Sequence, residues 1–336
     1  MLENLTVSPA PHISKAVSTR HIMTDVIIGL TPAIAAAGYY FRTHALVLIA
    51  TCVIASVATE WICNLIRKKP NSTGDFSAVI TGIILALSVP PHLPVWAAVM
   101  GSAFAVGVGK MVFGGLGANI FNPAMIGRAF LTACFGMLMT TWTVPATINS
   151  SMPNVSPDTS PDAITQATPL AWSKQAIKTK TGAEKANQQL NACFTGARGG
   201  CLGETSAIAL LIGGAYLLIR RTISFVIPAG VLLSAIAVAA LAYLINTDAY
   251  VSPLLHITSG GLLLGAFFIA TDPVTAPLTT KGRWVFGIGT GAIIMLIRIV
   301  GEYPEGVMYA VLLMNALTPL IDHFCKLTPT GGLPNA

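Results

Sequence analysis

The chain has 336 residues, of which 19 are Lys or Arg and 13 are Asp or Glu, so 10% are charged and 54% are hydrophobic. A soluble domain carries about 25% charged residues. With a mean hydropathy of +0.71, this chain has too little polar surface to face water. The composition specifies an all-α integral membrane protein and excludes disordered, collagenous and disulfide-stapled secreted classes. The net charge of +6 sits at the ends of apolar runs, a positive-inside pattern rather than a nucleic-acid-binding face.

Residues 1–20 contain Pro9, Pro11 and His12 and no apolar core, so they do not read as a cleavable signal. A spanning helix needs about 20 apolar residues. Ten segments qualify: 22–41, 46–66, 76–89, 95–113, 123–142, 206–219, 223–245, 254–270, 284–300 and 306–322. The third and sixth are short, as segments surrounded by protein or lining a cavity are allowed to be. With the N-terminus inside, the inner loops hold Lys15, Arg20, Arg67, Lys68, Lys69, Lys110, Arg220, Arg221, Lys281, Arg283 and Lys326, eleven of the nineteen cations. The outer side has Arg42 and, near a helix end, Arg298, and Arg128 lies within the fifth segment. The other five belong to the loop 144–203, and loops that long cross largely regardless of charge. The expected topology therefore places both termini in the cytoplasm of a bacterial inner membrane and the long loop outside.

That loop divides the chain into a first five-helix set (1–143), an outer segment (144–203), a second set (204–326) and a short tail (327–336). An odd number of helices per set gives the two sets opposite orientations. A shift of 183 residues lays Gly82 on Gly265 and Pro90 on Pro273, as a five-plus-five inverted repeat would.

The outer segment contains Asp162-Ala-Ile-Thr165-Gln166-Ala167-Thr168-Pro169-Leu170. A modified hydroxyl must be reachable by an enzyme. A loop supplies that access, Ala167 leaves room, and Pro169 keeps the site out of a regular ladder. This stretch resembles the flavinylation motif D-x-x-[S/T]-x-A-T of the membrane subunits of Rnf and Na⁺-pumping NADH:quinone reductase complexes, with Gln166 where Gly is commoner. The resemblance implies that Thr168 carries FMN through a phosphoester bond. It also implies that Asp162, Thr165 and Ala167 are read by a separate flavin transferase. The run Gly196-Ala-Arg198-Gly-Gly-Cys-Leu-Gly203-Glu204-Thr205-Ser206 is similar to the family's entry into the sixth helix. Thr205 or Ser206 is expected to N-cap that helix and present N–H groups to an anion. Asn119-Ile-Phe-Asn122-Pro123 through Arg128, and Thr271-Asp272-Pro273 through Pro277, also resemble family loops. The matches run from about residue 20 to 322, and the absence of a long N-terminal extension favours the Rnf branch.

The family fold is similar to urea and ammonium transporters. Because quinone-reductase relatives hold a second, non-covalent riboflavin, the resemblance implies a second flavin site near Asn119, Asn122, Pro123, Arg128, Thr271 and Asp272 on the inner face. The alternative is that these loops are tight reentrant turns needing Gly and Pro for geometry. Ionisable groups in lipid need a reason. Asp25, Glu60, Asp75 and Arg128 fall in or near helices, with Asp25 or Glu60 as candidate partners of Arg128, and Glu204, Glu302 and Glu305 are expected outside near the flavin. Gly107-Val-Gly109-Lys110 lacks the Ser/Thr of a P-loop. Gly287-Ile-Gly289-Thr-Gly291 lies in an apolar helix, so it reads as helix packing rather than a dinucleotide fingerprint. The six cysteines form no C-x-x-C pair, so no metal centre is expected from this chain alone.

The expected function is that of a flavin-bearing component of an ion-translocating ferredoxin:NAD⁺ oxidoreductase. It would work with Rnf partners of the A, B, C, E and G types and move Na⁺ or H⁺. The alternative is a channel or secondary transporter of urea/ammonium-transporter-like fold, which has no need of the Thr168 segment.

Overall fold

The computed structural model describes residues 18–142, 168–196, 198–303 and 305–326. Asp162, Thr165 and Ala167 lie outside the described residues. All ten apolar segments are helical over most of their length. Among the described residues, four helices are long and apolar enough to cross a membrane, and three shorter apolar helices accompany them.

Helix α1 (Thr19–Ile66) has 48 residues, about 72 Å at 1.5 Å per residue, more than twice the hydrocarbon core. Arg42 (φ 53°, ψ −135°) breaks it into two arms, which are the first and second predicted spans. A 3₁₀ turn (Thr73–Asp75) leads into α2 (Ser77–Leu87), whose 11 residues extend only about 16 Å. Ten of those residues are buried, so α2 is a half-length helix enclosed by protein. Helix α3 (Val95–Val106) continues as a π turn (Gly107–Met111). The fifth predicted span is α4 (Pro123–Cys134), broken at Phe135 before the short α5 (Gly136–Thr140). Asn122 caps α4 by accepting from Met125 N, and Pro123 occupies its first position, where no N–H is needed.

The outer segment supplies α6 (Pro169–Thr179), α7 (Ala183–Asn187) and α8 (Leu190–Thr195). These rest on a small core of their own, Ala176, Ala183, Ala186 and Cys193 against Val251 and Leu255. Helix α9 (Ala207–Ile219) is capped by Ser206, which accepts from Ala209 N, one of the two caps expected. Helix α10 (Val226–Ile245) follows.

The eighth predicted span is not one helix. It divides into α11 (Pro253–Thr258), then Gly260 at φ +67°, then α12 (Leu262–Leu264) running into a second π turn (Gly265–Ile269). Only glycine adopts that backbone angle without strain. Helices α13 (Thr280–Ile299) and α14 (Val307–Phe324) complete the chain. A Cβ on Gly287 would sit 2.8 Å from Ile227 O, so this glycine lets α13 pack closely on α10.

The order of elements recurs under the 183-residue shift. The arms of α1 fall on α9 and α10, α2 on α12, α3 on α13, and α4 on α14. Shift-related elements also touch, α1 on α9 and α4 on α14.

Candidate functional sites at the two ends of α4

Thr168 is the N-cap of α6, its hydroxyl accepting from Ala171 N at 3.2 Å. It borders a hollow of about 300 Å³ with Trp142, Leu170, Arg198, Gly199, Glu204, Gly260 and Glu305. A neighbouring hollow of about 470 Å³ shares Trp142 and Glu305 and adds Arg128, Thr132, Met139, Tyr303 and Tyr309.

The position of Thr168 follows from how α6 is tied down. Lys174 donates to Ile297 O at 3.1 Å and also to Gly301 O, satisfying carbonyls at the end of α13 that have no intrahelical donor. Leu170 is buried beneath it. The Lys178–Glu302 pair is exposed on both sides and adds little.

Around the hollow the charges are held at fixed points. Glu305 accepts from Arg298, from Gly261 N at 2.9 Å and from Gly306 N at 3.2 Å. Arg128 Nη2 lies 3.8 Å from Glu204 Oε1, with both side chains 8% exposed. Arg198 donates to Glu204 O at 2.5 Å and Thr258 O at 3.1 Å, while its Nε is buried without a partner among the described residues.

Of the sequence-derived residues, Thr168, Leu170 and Glu204 meet at this hollow, and Pro169 starts α6 beside it. Gly203 is required for packing, since a Cβ there would lie 2.7 Å from Leu87 Cβ. Thr205 donates to Leu202 O and Ser206 to Phe194 O, and neither borders the Thr168 hollow. Glu305 joins Glu204 as expected, whereas Glu302 stays in solvent. Sequence reasoning finds no signal for Trp142, Tyr303 and Tyr309. They lie in separate loops and helix starts, and only the fold brings them together.

At the opposite end of the bundle is a cleft of about 750 Å³. Asn119, Asn122, Pro123, Thr271 and Asp272 line it together with Ser77, Lys110 and Phe267. Asn119 donates to Phe121 O and leaves its Oδ1 buried without a partner. Asn122 reaches Ile269 O at 3.4 Å, and Thr271 donates to Phe267 O at 2.7 Å. Asp272 accepts from Val274 N and Thr275 Oγ1. Five of the six expected residues therefore converge. Arg128 does not, because it lies farther along α4, beside Glu204.

Lys110 also departs from expectation. Counted as a loop cation, it is 1% exposed, within the first π turn. It donates to Glu60 Oε1 at 2.8 Å and Ser77 Oγ at 2.6 Å. Neither Asp25 nor Glu60 pairs with Arg128. Asp25 lies 3.5 Å from Arg220 and accepts from Thr222 and Tyr216, while Glu60 belongs to Lys110. Each carboxylate has taken the cation at its own end of the bundle. The six cysteines are unpaired, and among the described residues no three His, Cys, Asp or Glu converge as metal ligands.

The family described as NQR2, RnfD, RnfE matches residues 6–331. The chain is 47% identical over 326 residues to the D subunit of the Na⁺-translocating ferredoxin:NAD⁺ oxidoreductase complex of Acetobacterium woodii, covering 96% of this chain and 94% of that protein. It is 41% identical to the D subunit of the proton-translocating ferredoxin:NAD⁺ oxidoreductase complex of Clostridium ljungdahlii, covering 96% and 94%. It is also 41% identical to the D subunit of the ion-translocating oxidoreductase complex of Stutzerimonas stutzeri, covering 92% and 91%. With the family matched over nearly its whole length, this membrane protein belongs to the NQR2, RnfD, RnfE family.

Proposed function

We propose that the chain is the D-type membrane component of an ion-translocating ferredoxin:NAD⁺ oxidoreductase complex, carrying FMN on Thr168 and coupling electron transfer to Na⁺ or H⁺ movement. Partner Rnf subunits supply the ferredoxin and NAD⁺ chemistry, and a flavin transferase installs the cofactor. The observation that carries this reading is the setting of Thr168. Its hydroxyl stands at a helix N-terminus beside a hollow bordered by Arg198, whose buried Nε has no partner among the described residues, a combination that suits a phosphate. Bound there, FMN supplies one- and two-electron redox chemistry.

The chain's own residues would hold and orient the group. The N-terminal N–H groups of α6 and the Arg198 guanidinium, which borders the same hollow as Thr168, would hold the phosphate. Trp142, Tyr303 and Tyr309 offer aromatic surface for a flat ring, and Leu170 and Met139 help exclude water. In the inner cleft, Asn119 Oδ1 is an unused acceptor suited to a ring N–H, and its polar and apolar lining suits riboflavin. With the N-terminus inside, electrons cross from the outer flavin toward an NAD⁺-reducing partner on the cytoplasmic side of the bacterial inner membrane.

The test is the mass of the tryptic peptide containing Thr168, from protein made alongside an active transferase. A mass addition equal to FMN less water is expected, and an unmodified peptide sinks the proposal. Thr168→Val in the intact complex should lose ferredoxin-dependent NAD⁺ reduction and the covalent yellow fluorescence together.

A further inference from the structure

Five charged side chains gather around the Thr168 hollows: Arg128, Arg198 and Arg298 against Glu204 and Glu305. The arginines are 7%, 4% and 2% exposed, and Glu204 is 7% exposed. Two pairs are evident, Arg298 with Glu305 at 3.3 Å and Arg128 with Glu204 at 3.8 Å. Arg198 is left over. Among the described residues it has no carboxylate within ion-pair distance, and its guanidinium spends its Nη groups on neutral acceptors, Glu204 O, Thr258 O and Cys193 Sγ. Among the described residues the cluster thus carries one surplus positive charge, on arginines that are at most 7% exposed. Burying an uncompensated charge is costly, so a site built this way is built for an anion.

We propose that Arg198 is the phosphate-binding residue of the Thr168 site and that a singly charged phosphodiester completes the cluster's charge balance. The inference rests on Thr168 being the attachment point. Three features agree with it. Arg198 and Thr168 border the same hollow of about 300 Å³. The buried Nε of Arg198 has no acceptor among the described residues. The N-terminus of α6, where an ester on Thr168 Oγ would stand, favours negative charge. A phosphodiester carries one negative charge at neutral pH, which is the surplus the arginines leave. Arg198 also ties together the turn at Glu204 and the end of α11, so occupation of the site would brace both elements.

The experiment compares the complex made with and without the flavin transferase, for the natural sequence, Arg198→Gln and Arg198→Lys. FMN occupancy is read from the Thr168 peptide mass, and the thermal midpoint of the detergent-solubilised complex is read on the flavinylated fraction. Flavinylation should raise the midpoint of the natural sequence by roughly 3–5 °C. Arg198→Lys should retain most of that gain and Arg198→Gln little of it. Because each variant is referred to its own unmodified form, a loss of stability from the severed carbonyl bonds cancels. An equal gain in Arg198→Gln and in the natural sequence overturns the assignment of Arg198. An unmodified Thr168 in the natural sequence instead defeats the reading of the site on which the assignment stands.

Discussion

The Lys110–Glu60 pair allows a quantitative test of the inner half of the fold. The two side chains are 2% and 0% exposed and 2.8 Å apart, and the only other acceptor for Lys110 among the described residues is the Ser77 hydroxyl at 2.6 Å. Glu60→Leu leaves an ammonium buried beside one neutral oxygen. Lys110→Met leaves a carboxylate with Ser72 as its single donor, at 2.6 Å. Breaking such a pair from either side costs about 3–5 kcal/mol, whereas replacing both partners with apolar residues of similar volume is often neutral. Each single variant should therefore lower the thermal midpoint of the complex by roughly 6–15 °C. The double variant Glu60→Leu/Lys110→Met should return to within a few degrees of the natural protein, a coupling of about 5 kcal/mol or more. If the double variant loses as much as the two singles added together, the charges do not compensate one another and the reasoning fails.

Three further outcomes follow from other parts of the fold. Lys174→Met keeps the apolar stem but removes the donor to Ile297 O and Gly301 O, so α6 amides should exchange hydrogen roughly 10-fold faster; unchanged protection would show that α6 is anchored elsewhere. Gly82→Ala places a Cβ 2.7 Å from Val53 Cα and 2.8 Å from Cys52 O, both backbone atoms of α1, and should destabilise the protein by about 1–3 kcal/mol, read as a lower thermal midpoint. Burial pushes the Cys193 thiol up, and the nearby Arg198 guanidinium only partly opposes it. Its reactive thiolate then appears only above the ordinary thiol range, so iodoacetamide should label it slowly at pH 7.5 and faster as the pH rises. Labelling at the rate of a free thiol at pH 7.5 would contradict that ordering.

Much of the fold is legible in the sequence because the bilayer is an undemanding reader. Apolar length predicts each of the ten segments, and capping residues such as Asn122 and Ser206 mark two of the starts. The exceptions have one physical cause. A segment surrounded by protein is freed from the length and regularity that lipid imposes. This is why 76–89 shortens to α2, and why 254–270 divides at Gly260, whose positive φ is invisible to a hydropathy window. Lys110 misleads for the same reason. A lysine at the end of an apolar run reads as an inner-loop cation, and nothing local says that Glu60, fifty residues earlier, awaits it. Arg198 stands inside a family motif without a signal of its own, because its significance is a charge count over residues 128 to 305.

Helix α4 joins these local findings into one arrangement. Asn122, at its start, borders the cleft of about 750 Å³, and Thr132, near its end, borders the aromatic hollow of about 470 Å³ at the opposite end. Ten residues of helix separate them, about 15 Å, or half the hydrocarbon thickness. A ligand site on each face of an ordinary bundle would be separated by the whole membrane. Here the half-length α2 borders one hollow and Gly260, at the break between α11 and α12, borders another. Arg128, one turn before Thr132, stands between them and is held by Glu204 at 3.8 Å. Its absence from the inner cleft therefore has a structural meaning. The residue expected to bind at one site is instead the buried charge that borders the other.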